Sequence, residues 1–172
     1  MEKIFYTDKH AFPSSSEALQ AVFSRYFGIE NAEIQRTKNG KPYLLDKYGL
    51  FFSVSHTKNL LFIGVSDAEI GIDAEALSRK TDYLTVLKKF PLEEQAEIQS
   101  KTDFLRHWTA KEAAVKYLGG TLAKDLKKLS FIHGKLRYCD QALPDICEKE
   151  LEDTLLSVCA KRDFANAEII RL

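Results

Sequence analysis

Residues 108–116 read Trp-Thr-Ala-Lys-Glu-Ala-Ala-Val-Lys and lie within a segment, 103–118, whose pattern predicts a helix ended by Gly119-Gly120. Spacings of three and four define one stripe predicted to face the core: Leu105, Trp108, Glu112 and Val115. A carboxylate on such a stripe is costly to bury unless a positive group meets it. Lys116, one turn beyond Glu112, could be that group, although such pairs are also ordinary on solvated helix faces.

A second stretch, Gly71-Ile72-Asp73-Ala74-Glu75, follows an apolar run that predicts a strand. Side chains two residues apart on a strand point to the same face, so Asp73 and Glu75 are predicted to lie side by side. Adjacent carboxylates repel unless a cation separates them, and hard oxygen ligands suit Mg²⁺. Gly71 would let a ligand or another backbone approach closely. The alternative is a strand end that turns out to solvent.

The whole chain has the composition of an ordinary globular protein. Its 172 residues fit one domain or two small halves, and its formal net charge is zero, so nothing at this level indicates a nucleic-acid or membrane partner. The three cysteines, at positions 139, 147 and 159, have no metal-site spacing and indicate reduced thiols. Neither an apolar signal segment nor a membrane-length run is present. We therefore expect a cytoplasmic protein.

The order of local patterns predicts an α+β fold. Ser14 and Glu17 have capping-box spacing before a helix that ends at Gly28. Three strand-like runs, 50–55, 60–65 and 68–73, then suggest an antiparallel meander. Beyond residue 77 the helical segments 83–90 and 103–118 precede further strands. We predict two similar halves, residues 1–77 and 78–172, each a helix packed on a small antiparallel sheet, with the active site in the cleft between them.

A third polar group follows the strand at residues 50–54. Ser55, His56 and Thr57 can each donate a hydrogen bond, which suits contact with an anion. A histidine in a polar turn is the plain alternative.

Together these pieces resemble the 4′-phosphopantetheinyl transferases of the Sfp type. Four motifs carry the resemblance in the family's order: Gly40-Lys41-Pro42, Phe52-Ser53-Val54-Ser55-His56-Thr57, Gly71-Ile72-Asp73-Ala74-Glu75 and Trp108-Thr109-Ala110-Lys111-Glu112-Ala113-Ala114-Val115-Lys116. The resemblance covers residues 14–122, and its last two motifs are the specific ones. The sequence departs from the family pattern at Ser53, where asparagine is usual, and at Thr57, where serine is usual. After the helix, Gly119-Gly120-Thr121-Leu122 keeps only the first glycine of the family's G-x-G-L in register.

The resemblance implies an enzyme that moves the phosphopantetheine arm of coenzyme A onto a serine of an apo acyl or peptidyl carrier protein and releases adenosine 3′,5′-bisphosphate. It assigns Mg²⁺, or Mn²⁺, to Asp73, Glu75 and Glu112. It makes Glu112 and Lys116 catalytic, with Glu112 or a metal-bound water taking the serine proton. A pyrophosphate needs such a cation and ammonium for the charge that builds on the leaving group.

The same resemblance implies a coenzyme A site. Lys41 and Pro42 would line the adenine side with Ser55 beside them, His56 would bind the 3′-phosphate, and Lys116 would contact the phosphates. The chain is shorter before its first helix than typical members, so Lys9 and His10 are candidate substitutes for basic residues that would lie there. The start of the helix after Ser14 is an extra candidate anion site.

Acidic carrier proteins suggest a basic docking surface, for which we single out five lysines: Lys88, Lys89, Lys124, Lys127 and Lys128. A solvated basic face is the alternative. Two halves in one chain would make a monomer sufficient. Two other functions remain open: an inactive module that binds carrier protein or coenzyme A, and an unrelated Mg²⁺-dependent nucleotide hydrolase.

Overall fold

The computed structural model describes the whole chain, residues 1–172. In chain order its elements are β1 (Lys3–Asp8), α1 (Ser15–Phe27), β2 (Ile34–Arg36), β3 (Pro42–Leu44), β4 (Phe51–His56), β5 (Leu60–Ser66), β6 (Ile70–Ala76), α2 (Tyr83–Leu87), α3 (Leu92–Glu97), α4 (Lys101–Leu118), α5 (Leu122–Asp125), β7 (Leu129–Ile132), β8 (Lys135–Tyr138), β9 (Gln141–Ala142), β10 (Ile146–Leu151), β11 (Thr154–Ala160) and β12 (Glu168–Arg171). Helices and small, mainly antiparallel sheets make up the chain, so the predicted α+β class is confirmed. None of the helices has the length and apolar character needed to span a membrane.

Serine caps begin both long helices and glycines end them. The Ser14 hydroxyl accepts the amide of Glu17 at 3.2 Å, as the capping-box spacing predicted. The Ser100 hydroxyl accepts the amide of Asp103 at 3.1 Å, so α4 begins two residues earlier than predicted. Gly28 and Gly119 both end their helices with φ of 65°, a conformation that disfavours other residues.

The strands form two larger sheets and two small ones. The orders are β12-β1-β5-β4, β10-β11-β6, β7-β8-β9 and β2-β3, and all pairs are antiparallel except β1 with β12. The predicted meander holds for β4 and β5 but is wrong for β6, which pairs with β11 instead. Each larger sheet therefore includes a strand from the other side of residue 77. The division at that residue, and the cleft between similar halves, stay predictions.

Strand alternation divides the core into layers. On β5, Leu61 and Ile63 pack with α1, whereas Leu60 and Phe62 face the second large sheet. On β6, Ile70 and Ile72 join that central layer between the sheets. The other face of β6 therefore points to α4, which positions the candidate site.

The predicted stripe on α4 is only half right. Leu105 and Val115 are buried as expected, but Trp108 and Glu112 lie at its half-buried edge. The centre of the buried face is formed by small side chains instead: Ala110, Ala113 and Ala114.

Candidate active site

The candidate site lies where β6 contacts α4. Gly71, Asp73 and Glu75 alternate with core residues, so they share the face of β6 that turns towards the helix. A Cβ on Gly71 would overlap the carbonyl oxygen of Ala113 and the amide of Tyr117. Of the two roles the sequence left open for Gly71, the structure shows the approach of another backbone. This glycine lets α4 lie directly against the strand.

Lys116 reaches from α4 to Asp73. Its Nζ donates to Asp73 Oδ1 at 2.8 Å and to the carbonyl oxygen of Val54 at 3.2 Å. The ammonium therefore pairs with the strand carboxylate, and it forms no salt bridge with Glu112 one turn earlier on the helix. Two of its three N–H groups are used, which leaves one for a further acceptor.

Asp73 is a buried carboxylate with one free oxygen. It is 4% exposed, and its Oδ1 accepts hydrogen bonds from Lys116 and from the hydroxyl of Ser55, the latter also at 2.8 Å. Its Oδ2 is buried and has no hydrogen-bond partner. An unpartnered buried oxygen of this kind is costly unless a cation or a donor meets it.

The other two predicted metal ligands lie close enough to Asp73 to feel its charge. Burial, followed by the charges of Asp73 and Glu75, raises the pKa of Glu112 to about 8. Burial also raises the pKa of Glu75, against the opposing charge of Arg79. A divalent cation would relieve both effects, and carboxylate oxygens are the ligands that Mg²⁺ prefers. The donor chemistry fits, although no three metal-ligating side chains converge as a ready-made group.

Arg79 pairs with one of these carboxylates, and the sequence reasoning did not identify it. Its guanidinium forms an ion pair with Glu75, four residues earlier. The spacing alone was the only available signal, and it is too common to single out a site.

Lys41 and Pro42 border one cleft. This cleft has a volume of 510 Å³, and Tyr43, Phe52 and Leu118 supply apolar walls. The Lys41 ammonium is not free, because it pairs with Glu69 and donates to the carbonyl oxygen of Ile70 at 3.2 Å. Its aliphatic chain and backbone remain available to a planar ligand.

His56 borders two other clefts at the opposite end of β4. The larger one has a volume of 670 Å³ and is markedly basic: it is lined by Lys9, His56, Lys58, Arg79 and Lys80, beside Glu75. The smaller one, of 270 Å³, brings together Lys9, His10, His56, Ser14 and Ser15. Burial, and then the charges of Lys9 and Lys116, lower the pKa of His56. Phe52 borders the Lys41 cleft, and His56 lies four positions further along β4, which is a distance of about 13 Å.

A second feature that sequence reasoning missed is the buried pair of Lys111 and Glu94, both 0% exposed. Lys111 Nζ lies 2.6 Å from Glu94 Oε2, yet the pair lacks hydrogen-bond geometry; the ammonium also sits 3.6 Å from the centre of the Phe90 ring. His107 Nδ1 lies 3.0 Å from the other Glu94 oxygen. This cluster joins α3 to α4 behind the site. Lys111 is a position of the helical motif, but spacing along the helix does not indicate that it is buried against Glu94.

Comparison with known proteins gives a consistent family. The model of the 4′-phosphopantetheinyl transferase superfamily matches residues 69–159, which is just over half of the chain and contains Asp73, Glu75, Glu112 and Lys116.

Similar proteins include three 4′-phosphopantetheinyl transferases. HetI of Nostoc sp. is 33% identical over 135 residues, which cover 70% of this chain and 57% of HetI. AcpT of Escherichia coli is 29% identical over 77% of this chain and 68% of AcpT. The Bacillus subtilis protein is 26% identical over 72% of this chain and 58% of its own length. The chain thus spans less than two thirds of HetI. The matched segment nevertheless contains the whole β6–α4 contact with its carboxylates and lysine, and on this basis the chain belongs to the 4′-phosphopantetheinyl transferase superfamily.

Proposed function

We propose that the protein transfers the phosphopantetheine arm of coenzyme A to a serine of an apo acyl or peptidyl carrier protein. In this reaction the serine oxygen bonds to the β-phosphate, and the bond to adenosine 3′,5′-bisphosphate breaks. One observation carries the proposal: Lys116 Nζ lies 2.8 Å from Asp73 Oδ1 within the segment that matches the family, beside the half-buried Glu112. An ammonium and carboxylates placed together suit a reaction that moves charge between phosphate oxygens.

Asp73, Glu75 and Glu112 are the residues we propose as holding Mg²⁺ in the cleft between the two halves. The unpartnered Asp73 Oδ2 and the pKa of about 8 at Glu112 support this assignment. When bound, the ion would neutralise charge on the pyrophosphate. Mn²⁺ is compatible with the same oxygen ligands. Glu112 is our candidate for the base that takes the serine proton, and the remaining N–H of Lys116 would donate to a phosphate oxygen.

Coenzyme A would lie along β4. The cleft beside Lys41 and Pro42 has apolar walls suited to adenine, whereas the clefts beside His56 carry the basic groups suited to the 3′-phosphate. Ser55 lies between them, next to His56. Lys9 and His10, the basic residues predicted to contribute before the first helix, border the smaller His56 cleft and support this arrangement.

A carrier protein would dock on the exposed lysines that follow α2 and α4. All five predicted lysines are exposed: Lys88, Lys89, Lys124, Lys127 and Lys128. If docking to an acidic carrier is electrostatic, raising the salt concentration from 50 to about 300 mM should raise the KM for the carrier severalfold, because the Debye length shortens. The KM for coenzyme A serves as the internal comparison.

Charge reversal tests the same surface directly. Lys124→Glu together with Lys127→Glu should raise the carrier KM, whereas Lys161→Glu, an exposed lysine outside the surface, should not. If neither added salt nor charge reversal changes the KM for the carrier, the proposed docking surface is wrong.

The deciding experiment is intact mass spectrometry of an apo carrier protein incubated with this protein, coenzyme A and Mg²⁺. A mass gain of one phosphopantetheine group, abolished by EDTA, is the expected result. Acyl and peptidyl carriers tested in parallel would assign the substrate. We expect a cytoplasmic monomer that needs neither nucleic acid nor membrane.

Two other outcomes correspond to the alternative functions. Unmodified carriers with intact coenzyme A would favour a binding module without turnover, although the four charged residues of a transferase site are all present. Loss of coenzyme A without carrier modification would favour a hydrolase.

A further inference from the structure

Two serine hydroxyls join β4 to β6, at a place where the two large sheets share no backbone pairing. The amide of Ile72 donates to Ser53 Oγ at 3.0 Å, and the amide of Ala74 donates to Ser55 Oγ at 3.1 Å. Both serines are 4% exposed and lie two residues apart, so their side chains share one face of β4. We call Ser53 and Ser55 the serine seam. It satisfies buried amides of β6 that no strand meets on this side.

The two hydroxyls of the serine seam differ in where their own protons go. A backbone N–H can only donate, so each serine oxygen accepts from β6 and keeps its proton for another acceptor. The Ser55 proton has such an acceptor, since Asp73 Oδ1 lies 2.8 Å away. Ser53 contacts no carboxylate. The Ser55 hydroxyl therefore both accepts a hydrogen bond from β6 and donates one to Asp73, which connects the serine seam to the candidate site.

This contact determines which oxygen of Asp73 is free. Oδ1 accepts from Ser55 and Lys116, two donors that approach from β4 and α4, and this fixes the plane of the carboxylate. Oδ2 is buried and accepts from nothing. Hydrogen bonds to charged groups are the stronger kind, so two of them on one oxygen hold the other in a defined place.

We propose that Ser55 is a positioning residue, which holds Asp73 so that Oδ2 faces a divalent cation. The inference rests on the proposed function for the presence of that cation. It gives the Ser55 hydroxyl a role exerted through Asp73, in addition to the place of Ser55 beside coenzyme A. Partners that orient a metal-binding carboxylate commonly change metal affinity 10- to 100-fold when removed.

The test compares Ser55→Ala with Ser53→Ala in the full chain. Each variant loses one hydrogen bond to β6, and Ser55→Ala also loses the one to Asp73, so the unfolding temperature should fall in both variants and further in Ser55→Ala. Mn²⁺ binding, followed by the loss of the free-ion electron paramagnetic resonance signal with coenzyme A and no carrier, should weaken on the order of tenfold in Ser55→Ala only. Ser55→Thr, which keeps the hydroxyl, should recover most of the affinity. Should Ser55→Ala not fold, Ser55→Cys replaces it, because a thiol fills the site but is a weak donor.

Two results would overturn the inference. One is equal loss of Mn²⁺ affinity in the Ser53 and Ser55 variants. The other is a raised KM for coenzyme A in Ser55→Ala with unchanged Mn²⁺ affinity, which would indicate direct substrate contact. The outcome is separable from that of the proposed function. If the variants rank as expected in Mn²⁺ affinity but the wild-type protein modifies no carrier, only the transferase function is refuted. Wild-type protein that binds no Mn²⁺ refutes the positioning role whatever the carrier assay gives.

Discussion

Several carboxylates in the site are buried or half-buried, although burial disfavours their charged form. Asp73 is almost fully buried with one unpartnered oxygen, and burial raises the pKa of Glu112 to about 8. Such groups reduce the stability of the folded chain, since desolvation disfavours their charged forms. Only one nearby cation, Lys116, pairs with Asp73, and Arg79 pairs with Glu75. This imbalance of charge is typical of a site that awaits a ligand.

Glu112→Gln is the sharpest substitution at this scale. It keeps the shape of the side chain but removes its charge, so carrier modification should fall on the order of 10²-fold or more if Glu112 holds the metal or takes the proton. Initial rates from intact mass spectra measure the effect. Glu93→Gln, at an exposed position on α3, is the matched control and should leave the rate unchanged. Near-normal turnover in Glu112→Gln would count heavily against the role assigned to it.

The sequence predicted which residues belong to the site better than which of them pair. Two-residue spacing placed Asp73 and Glu75 on one face, and the structure agrees. The same reasoning offered Glu112 as the partner of Lys116, but the lysine reaches Asp73. Spacing along one helix can identify only ion-pair partners within that helix. The choice of Asp73 depends on how closely β6 approaches α4, which is a tertiary distance.

The contact between β6 and α4 is the element that holds the site, and Gly71 permits it. Gly71→Ala should destabilise the protein by about 3 kcal/mol or more, because the new methyl group meets rigid helix backbone. Gly64→Ala, whose Cβ would lie 2.9 Å from Ile70 Cδ1 and from Ile72 Cγ2, meets side-chain rather than backbone atoms and should cost about 1–2 kcal/mol. Urea unfolding of both variants measures the difference. Equal losses would mean that α4 can move away from the strand at little cost.

The same contact explains why the stripe on α4 was predicted wrongly. Where a helix lies directly on a strand, the buried positions must be small, and Ala110, Ala113 and Ala114 fill them. Hydrophobic periodicity gives more weight to large side chains, so it placed Trp108 at the centre. Local patterns could not predict the partner of β6 either. Alternation of apolar and polar residues does not identify a strand's neighbour, and β11 lies some 80 residues further along the chain.

At the scale of the whole molecule, the two large sheets share one core. Ile4 and Phe62 from the first sheet pack with Ile72 and Leu156 from the second, and both sheets combine strands from before and after residue 77. We therefore predict one cooperative unfolding transition in urea. Its midpoint concentration should be the same by the fluorescence of Trp108, the sole tryptophan, and by far-ultraviolet circular dichroism. Phe62→Ala should lower both midpoints together. Separate midpoints would show that the halves unfold independently.

The exchange of strands also bears on how the chain folds as it is synthesised. The sheet that β1 starts gains its outer strand only when residues 168–171 have left the ribosome, and β6 finds its neighbour only after β11 has followed. Until then both sheets present open edges, which invite pairing with other nascent chains. Asp73 is made some 80 residues before β11, so the strand that carries it has no backbone partner while those residues are synthesised. The sheet beneath the site is therefore completed only after β11 has been made.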